Sequence, residues 1–181
     1  LVYCLIGLDV GYDNPMFATL EVDYSTSESD PSGEAYNEIK KELVYYELDL
    51  GLNHIVRKWS EPVDRTANTL FRVPGGPNAP SGVLCCGEDS ITYRRIFNNK
   101  SSVHRLAIPR REGPTEDPNR KRMIVAGTLY SLKGGDFFYL LQSDDGDVFK
   151  LTVEAPEGTV EKIKIKYFDT IPVTTSICIL R

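Results

Sequence analysis

The most reactive side chains in this sequence are four cysteines (Cys4, Cys85, Cys86, Cys178) and two histidines (His54, His104). A thiolate beside an imidazole makes a nucleophile–base pair, and Cys/His sets at short spacing hold zinc. Neither pattern is present. No two cysteines stand in a C-x-x-C pair, and neither histidine has a cysteine or carboxylate at ligand spacing. All four cysteines lie in apolar strand runs, so they read as buried free thiols of a reducing compartment. Cys85 and Cys86, adjacent in one strand, should point to opposite faces. His104 sits in an alternating run, where a half-exposed structural role is expected.

Other chemistries fare no better. There is no G-x-S-x-G elbow, no P-loop and no G-x-G-x-x-G. Gly75-Gly76, between Pro74 and Pro77, reads as a rigid turn. The pairs Glu88/Asp89 and Glu116/Asp117 fall in turns, whereas glycoside hydrolysis needs carboxylates facing each other across a cleft. Asp144-Asp145-Gly146-Asp147 lacks the ligand series and closing Glu of a calcium loop and reads as a hairpin turn. Tyr45, Tyr46, Phe137, Phe138 and Tyr139 could stack bases, but within strand runs they are expected in the core. No catalytic, cofactor-binding or metal-binding residue is expected.

The elements around these residues repeat. A strand–turn–strand pattern recurs at roughly 50–65 residues, the spacing of propeller blades. Strands are expected at 2–9, 15–23, 43–50 and 53–59, then at 69–73, 82–86, 90–94 and 103–108. A third set is expected at 123–130, 137–142, 147–153 and 160–168. Period two prevails and helix is minor. The fold class is all-β: a partial β-propeller of about three four-stranded antiparallel blades plus the first strand of another. The blades divide as 1–62, with a polar insertion at 24–41 whose end (34–41) could form a short helix, then 63–112 and 113–170. Residues 171–181 supply the further strand. Lys162 to Lys166 alternates lysine and isoleucine, as an outer strand with one wet face would. Met123–Leu129 and Val173–Leu180 are uncharged, as inner strands should be.

The chain has 181 residues, 41% hydrophobic and 26% charged, with a net charge of −5. Those values fit one globular core and argue against coating nucleic acid by overall charge. Charge is uneven. Glu21–Asp49 holds nine acids against two lysines, and Arg94–Arg122 nine Lys/Arg against three acids. Arg94, Arg95, Arg110, Arg111, Arg120, Lys121 and Arg122 are therefore a candidate interaction surface for an acidic protein or RNA phosphates. Asn99-Lys100-Ser101 fits a glycosylation triplet with no other secretory signal beside it. No apolar run reaches the length of a membrane helix. The sequence starts and stops inside strand patterns, so it reads as part of a longer protein.

Several stretches resemble one family: Gly7–Ala18, Tyr46–His54 with Val56–Lys58, Val73–Gly76 leading to Pro80–Val83, Ser90–Tyr93, Ile108–Arg111, Gly146–Leu151 and Lys166–Pro172. They are similar to the splicing factor 3b subunit 3 family, large propeller subunits of the U2 small nuclear ribonucleoprotein. Gly82–Tyr93 is the stretch most like the wider family, which includes DNA damage-binding protein 1 and the large subunit of cleavage and polyadenylation specificity factor. The resemblance implies a parent of three propellers, with this chain in the first. It implies no catalysis and no cofactor. It also implies a nuclear scaffold for pre-mRNA splicing and branch-site recognition, partnered by the HEAT-repeat subunit 1 and small subunit 5 within the spliceosome, with direct RNA contact secondary. The rival readings are a cullin ubiquitin-ligase adaptor and, more remotely, a propeller enzyme, for which the inner strand ends offer only Asp9.

Overall fold

The computed structural model describes residues 1–8, 13–97, 100–111, 117 and 119–180. Asp9, Asn99 and Glu116 lie outside the described residues.

Alternating apolar residues build three four-stranded antiparallel sheets. The first comprises β1 (Val2–Gly7), β2 (Met16–Val22), β3 (Lys41–Asp49) and β4 (His54–Val63), with two short helices, α1 (Ser25–Glu28) and α2 (Glu34–Glu38), inserted between β2 and β3. The second contains β5 (Thr69–Arg72). A small ribbon of β6 (Gly75–Gly76) and β7 (Ala79–Pro80) then precedes β8 (Val83–Gly87), β9 (Ser90–Phe97) and β10 (Lys100–Ala107). The third is β11 (Ile124–Ser131), β12 (Phe137–Ser143), β13 (Asp147–Glu154) and β14 (Lys162–Thr170). Apart from the ribbon, each sheet is a meander in chain order. Gly75-Gly76 is thus part of a two-residue ladder with Ala79-Pro80, and the turn itself falls on Pro77-Asn78.

The sheets stack face to face. β5 touches both β1 and β11, so the first strands adjoin, and β10 touches β14 at the opposite edge. Two apolar layers result. Met16, Ala18, Leu20, Leu43, Tyr45, Leu70, Val83 and Cys85 fill the layer between the first and second sheets. Leu84, Cys86, Ile91, Tyr93, Tyr139, Leu141, Phe149 and Leu151 fill the layer between the second and third. Cys85 and Cys86 face opposite layers, as strand alternation requires. The outer faces of the first and third sheets are open. Tyr3 and Leu5 are exposed on the first; Lys166 and Phe168 are exposed on β14.

The lysine–isoleucine alternation falls on the edge strand β14, where Ile163 and Ile165 pack inward. Residues 171–180 form no ladder among the described residues, because no neighbouring strand accepts their backbone groups. Only their start is fastened. The buried Gln142 donates Nε2–H to the carbonyls of Ile171 (3.2 Å) and Pro172 (3.0 Å), and its Oε1 accepts from Thr174 N (3.0 Å). Cys178 is therefore exposed rather than buried.

Gly82 begins β8's approach at φ +94, and a Cβ there would sit 2.6 Å from the Arg94 carbonyl oxygen. Gly82→Ala should destabilise the chain by about 2 kcal/mol or more, from left-handed strain plus the clash. A thermal melt of the variant that matches the parent would disprove this.

Candidate interaction surface

In a meander, the turn between second and third strands and the linker to the next sheet lie at the same end. That end gathers the α1–α2 insertion, the tight turns at Asp89 and Asp144–Gly146, and the linker residues 64–68, 108–111 and 119–123. Here most of the basic stretch finds its carboxylates, on Asp64, Asp89, Asp144, Asp145 and Asp147.

The basic residues are largely engaged within the chain. Arg94 and Arg95 are neighbours on β9 and so point to opposite sides. Arg94 Nη1 pairs with Glu61 Oε2 of β4 at 3.0 Å, and Arg95 Nη1 donates to the Gly158 carbonyl at 3.1 Å, beside the third sheet. They staple the middle sheet to both neighbours. Arg110 Nη2 lies 3.0 Å from Asp89 Oδ1 and 3.1 Å from the Arg120 carbonyl. Arg111 grips Asp147 through Nε, at 2.9 and 2.8 Å, and through Nη2, which also reaches Thr170 Oγ1 at 3.1 Å. Arg122 pairs with Asp145 at 3.2 Å and donates to the Pro109 carbonyl at 2.5 Å. Its side chain is 3% exposed, against 53% for Arg120 and 62% for Lys121. Arg120 and Lys121 make longer or looser pairs, with Asp144 at 3.7 Å and Asp89 at 3.1 Å. Exposed pairs of this kind are weak, so these two side chains can turn to another anion.

Three carboxylates of this end, Asp64, Asp89 and Asp147, are held in the ionised form. Burial pushes Asp147 up, but hydrogen bonds from Arg111 and Thr170 and the charges of Arg111 and Arg122 outweigh it and hold it below the usual range. Asp89 behaves likewise: burial raises it, while the Arg122 N–H, Lys121 and Arg110 lower it further. Asp64 is lowered first by the Thr66 backbone N–H and then by the Thr66 hydroxyl.

Burial pushes the Cys85 thiol up to about 11 and Cys86 well above its ordinary value, so neither is a thiolate near neutral pH. His104 is half-buried with its ring 6.0 Å from that of Tyr93, and His54 is exposed at the start of β4. Among the described residues, no three His, Cys, Asp or Glu side chains converge as metal ligands. Tyr45 and Tyr139 are core residues, while Tyr46, Phe137 and Phe138 are half-buried. An open groove of about 660 Å³ between the β6–β7 ribbon and the β11–β12 turn is lined by glycine backbone and by apolar side chains such as Pro80, Leu132 and Phe137, with Asp136 and Lys150 as its charged members.

Several structural anchors carried no sequence signal. Lys41 is buried, donating to the Ala67 carbonyl at 2.6 Å with its ammonium 4.1 Å from the centre of the Tyr3 ring. In the sequence Asp89 reads only as turn punctuation, and Gln142 carries no signal.

This arrangement of stacked meanders has a family counterpart. The description "RSE1/DDB1/CPSF1 first beta-propeller" matches residues 2–181. The chain belongs to this family. Over its whole length it is 57% identical to pre-mRNA-splicing factor rse1 of Neurospora crassa, 48% to splicing factor 3B subunit 3 of Danio rerio and 46% to that of Drosophila melanogaster. It spans 16%, 15% and 14% of those proteins respectively. Within the RSE1/DDB1/CPSF1 propeller family, then, the three stacked sheets are blades.

Proposed function

We propose that this chain is part of a rigid, non-catalytic scaffold that acts in pre-mRNA splicing in the nucleus, within the splicing factor 3b complex. The observation that carries this reading is the full-span identity of 46–57% to proteins named as splicing factors. The geometry supports it: interlocked blades lower the ordering cost of assembly, and burial holds Cys85 and Cys86 as neutral thiols. Its partners are the HEAT-repeat subunit 1 and the small subunit 5, and its contribution is to branch-site recognition through protein contacts. The open faces of the first and third sheets are the seats of further blades, with 171–181 joining one as a strand. Affinity purification of the full-length protein from nuclear extract should recover both subunits. Recovery of neither would overturn the reading.

The basic linker supplies the contact surface, chiefly through Arg120 and Lys121 at its exposed edge, with direct RNA contact as its secondary use. Arg94, Arg95, Arg110, Arg111 and Arg122 hold that edge in place. Reversing Arg120 and Lys121 to glutamate should reduce RNA crosslinking about tenfold at physiological salt. Unchanged crosslinking would remove RNA from the proposal and leave an acidic protein as the surface's partner.

A further inference from the structure

The link between second and third strands is a tight turn in two of the blades and the α1–α2 insertion in the first. Neither helix buries a residue. What fastens the insertion is a small latch of side chains. Tyr24 stacks on Tyr36 with ring centres 6.5 Å apart, and its hydroxyl lies 2.6 Å from that of Tyr3 on β1. The Arg65 guanidinium of the following linker lies 5.1 Å from the Tyr36 ring centre and donates to the Tyr36 carbonyl at 3.3 Å.

Ser25 adjoins this latch. It is exposed, and its backbone N–H donates to Asp23 Oδ1 at 2.9 Å, forming the turn that presents Tyr24. Glu28 follows it by three residues and Asp30 by five. Ser27 also has an acid three residues on, but it is half-buried and its hydroxyl is committed to the Tyr24 carbonyl at 2.9 Å. A kinase with a basic substrate cleft recognises a serine by the carboxylates that follow it. A four-residue helix without buried side chains opens at little cost, so the segment can lie extended in such a cleft.

We infer that Ser25 is a phosphorylation site for an acid-directed serine kinase, and that the phosphate releases the insertion from the first blade. The co-reactant is ATP. Ser25 Oγ bonds to the γ-phosphorus, the bond from that phosphorus to the bridging oxygen breaks with its electron pair leaving on ADP, and the hydroxyl proton passes to the kinase's carboxylate base. The product carries about −1.5 to −2 charges beside the Asp23 carboxylate. Repulsion opens the Asp23–Ser25 turn, which withdraws Tyr24 from both Tyr3 and Tyr36.

The test uses full-length protein, ATP and an acid-directed serine kinase, with the product mapped by mass spectrometry. The phosphate should reside on Ser25 and be lost in Ser25→Ala. Incorporation should slow about tenfold in Glu28→Gln, which removes one charge-assisted contact to the kinase, and stay unchanged in Glu34→Gln. Hydrogen exchange of 24–38 and of β1 should accelerate about tenfold in the phosphoprotein. A phosphate on Ser27 or Ser29 instead, no phosphate, an unaltered rate in Glu28→Gln, or unaltered exchange with Ser25 fully modified would each overturn the inference.

Discussion

Replacing Tyr139 by alanine should weaken the joint between the second and third blades by about 3–5 kcal/mol, a large part of a domain's total stability. Tyr139 is fully buried on β12. Its ring meets Phe71 of the second sheet at 6.4 Å and Phe137 edge-on at 5.9 Å, and its hydroxyl donates to the Arg72 carbonyl at 2.7 Å. Alanine would leave a cavity between two sheets that cannot close without moving whole strands, and would orphan the Arg72 carbonyl. Tyr139→Phe keeps the ring and loses the hydrogen bond, so it should cost only about 1 kcal/mol. The contrast separates packing from polarity. Hydrogen exchange of the β5, β8 and β12 amides in the full-length protein reads it. Equal protection in the two variants would mean that the ring is not what joins the blades.

The second large effect is on acid stability. Asp64 sits in a linker, Asp89 in a turn and Asp147 at the first position of β13, and all three titrate below the ordinary carboxylate range. In the unfolded chain an aspartate titrates near 3.9. A depressed folded value means that the native state binds fewer protons, so these groups stabilise the fold fully above about pH 4. That stability is lost as pH falls through their lower folded values. Acid should therefore loosen the linker end before the cores between sheets. Asp147→Asn should reduce stability at neutral pH by about 2–3 kcal/mol, since it removes a charged acceptor from Arg111 and Thr170. It should also flatten the loss below pH 4. Denaturation midpoints measured across that range decide it: a variant with the parent's full acid slope would show that Asp147 is not a source of the pH dependence.

Much of this fold follows from local rules. The twelve blade strands, the Asp144–Gly146 hairpin and the edge position of the lysine–isoleucine strand were legible because side-chain alternation is a property of neighbouring residues. The opposite facings of Cys85 and Cys86 came from the same rule. Two short helices in the polar stretch were foreseeable only in part, since α2 had a weak helical pattern and α1 none beyond polarity.

The basic stretch shows where local reading stops. A run of arginines in sequence reads as a charged surface, yet Arg122 is buried and Arg94 and Arg95 reach in opposite directions to different blades. Their partners Glu61, Asp145 and the Gly158 carbonyl lie 33, 23 and 63 positions away along the chain. Strand pairing and the stacking of sheets bring such groups within hydrogen-bond reach, and no spacing rule encodes it. Strands, their faces and the family are written in the order of residues along the chain. Which charges hold blades together, and which stay exposed as Arg120 and Lys121 do, emerges only once the chain is folded. Alternation acts between neighbours, whereas an ion pair depends on where the whole chain puts two distant atoms.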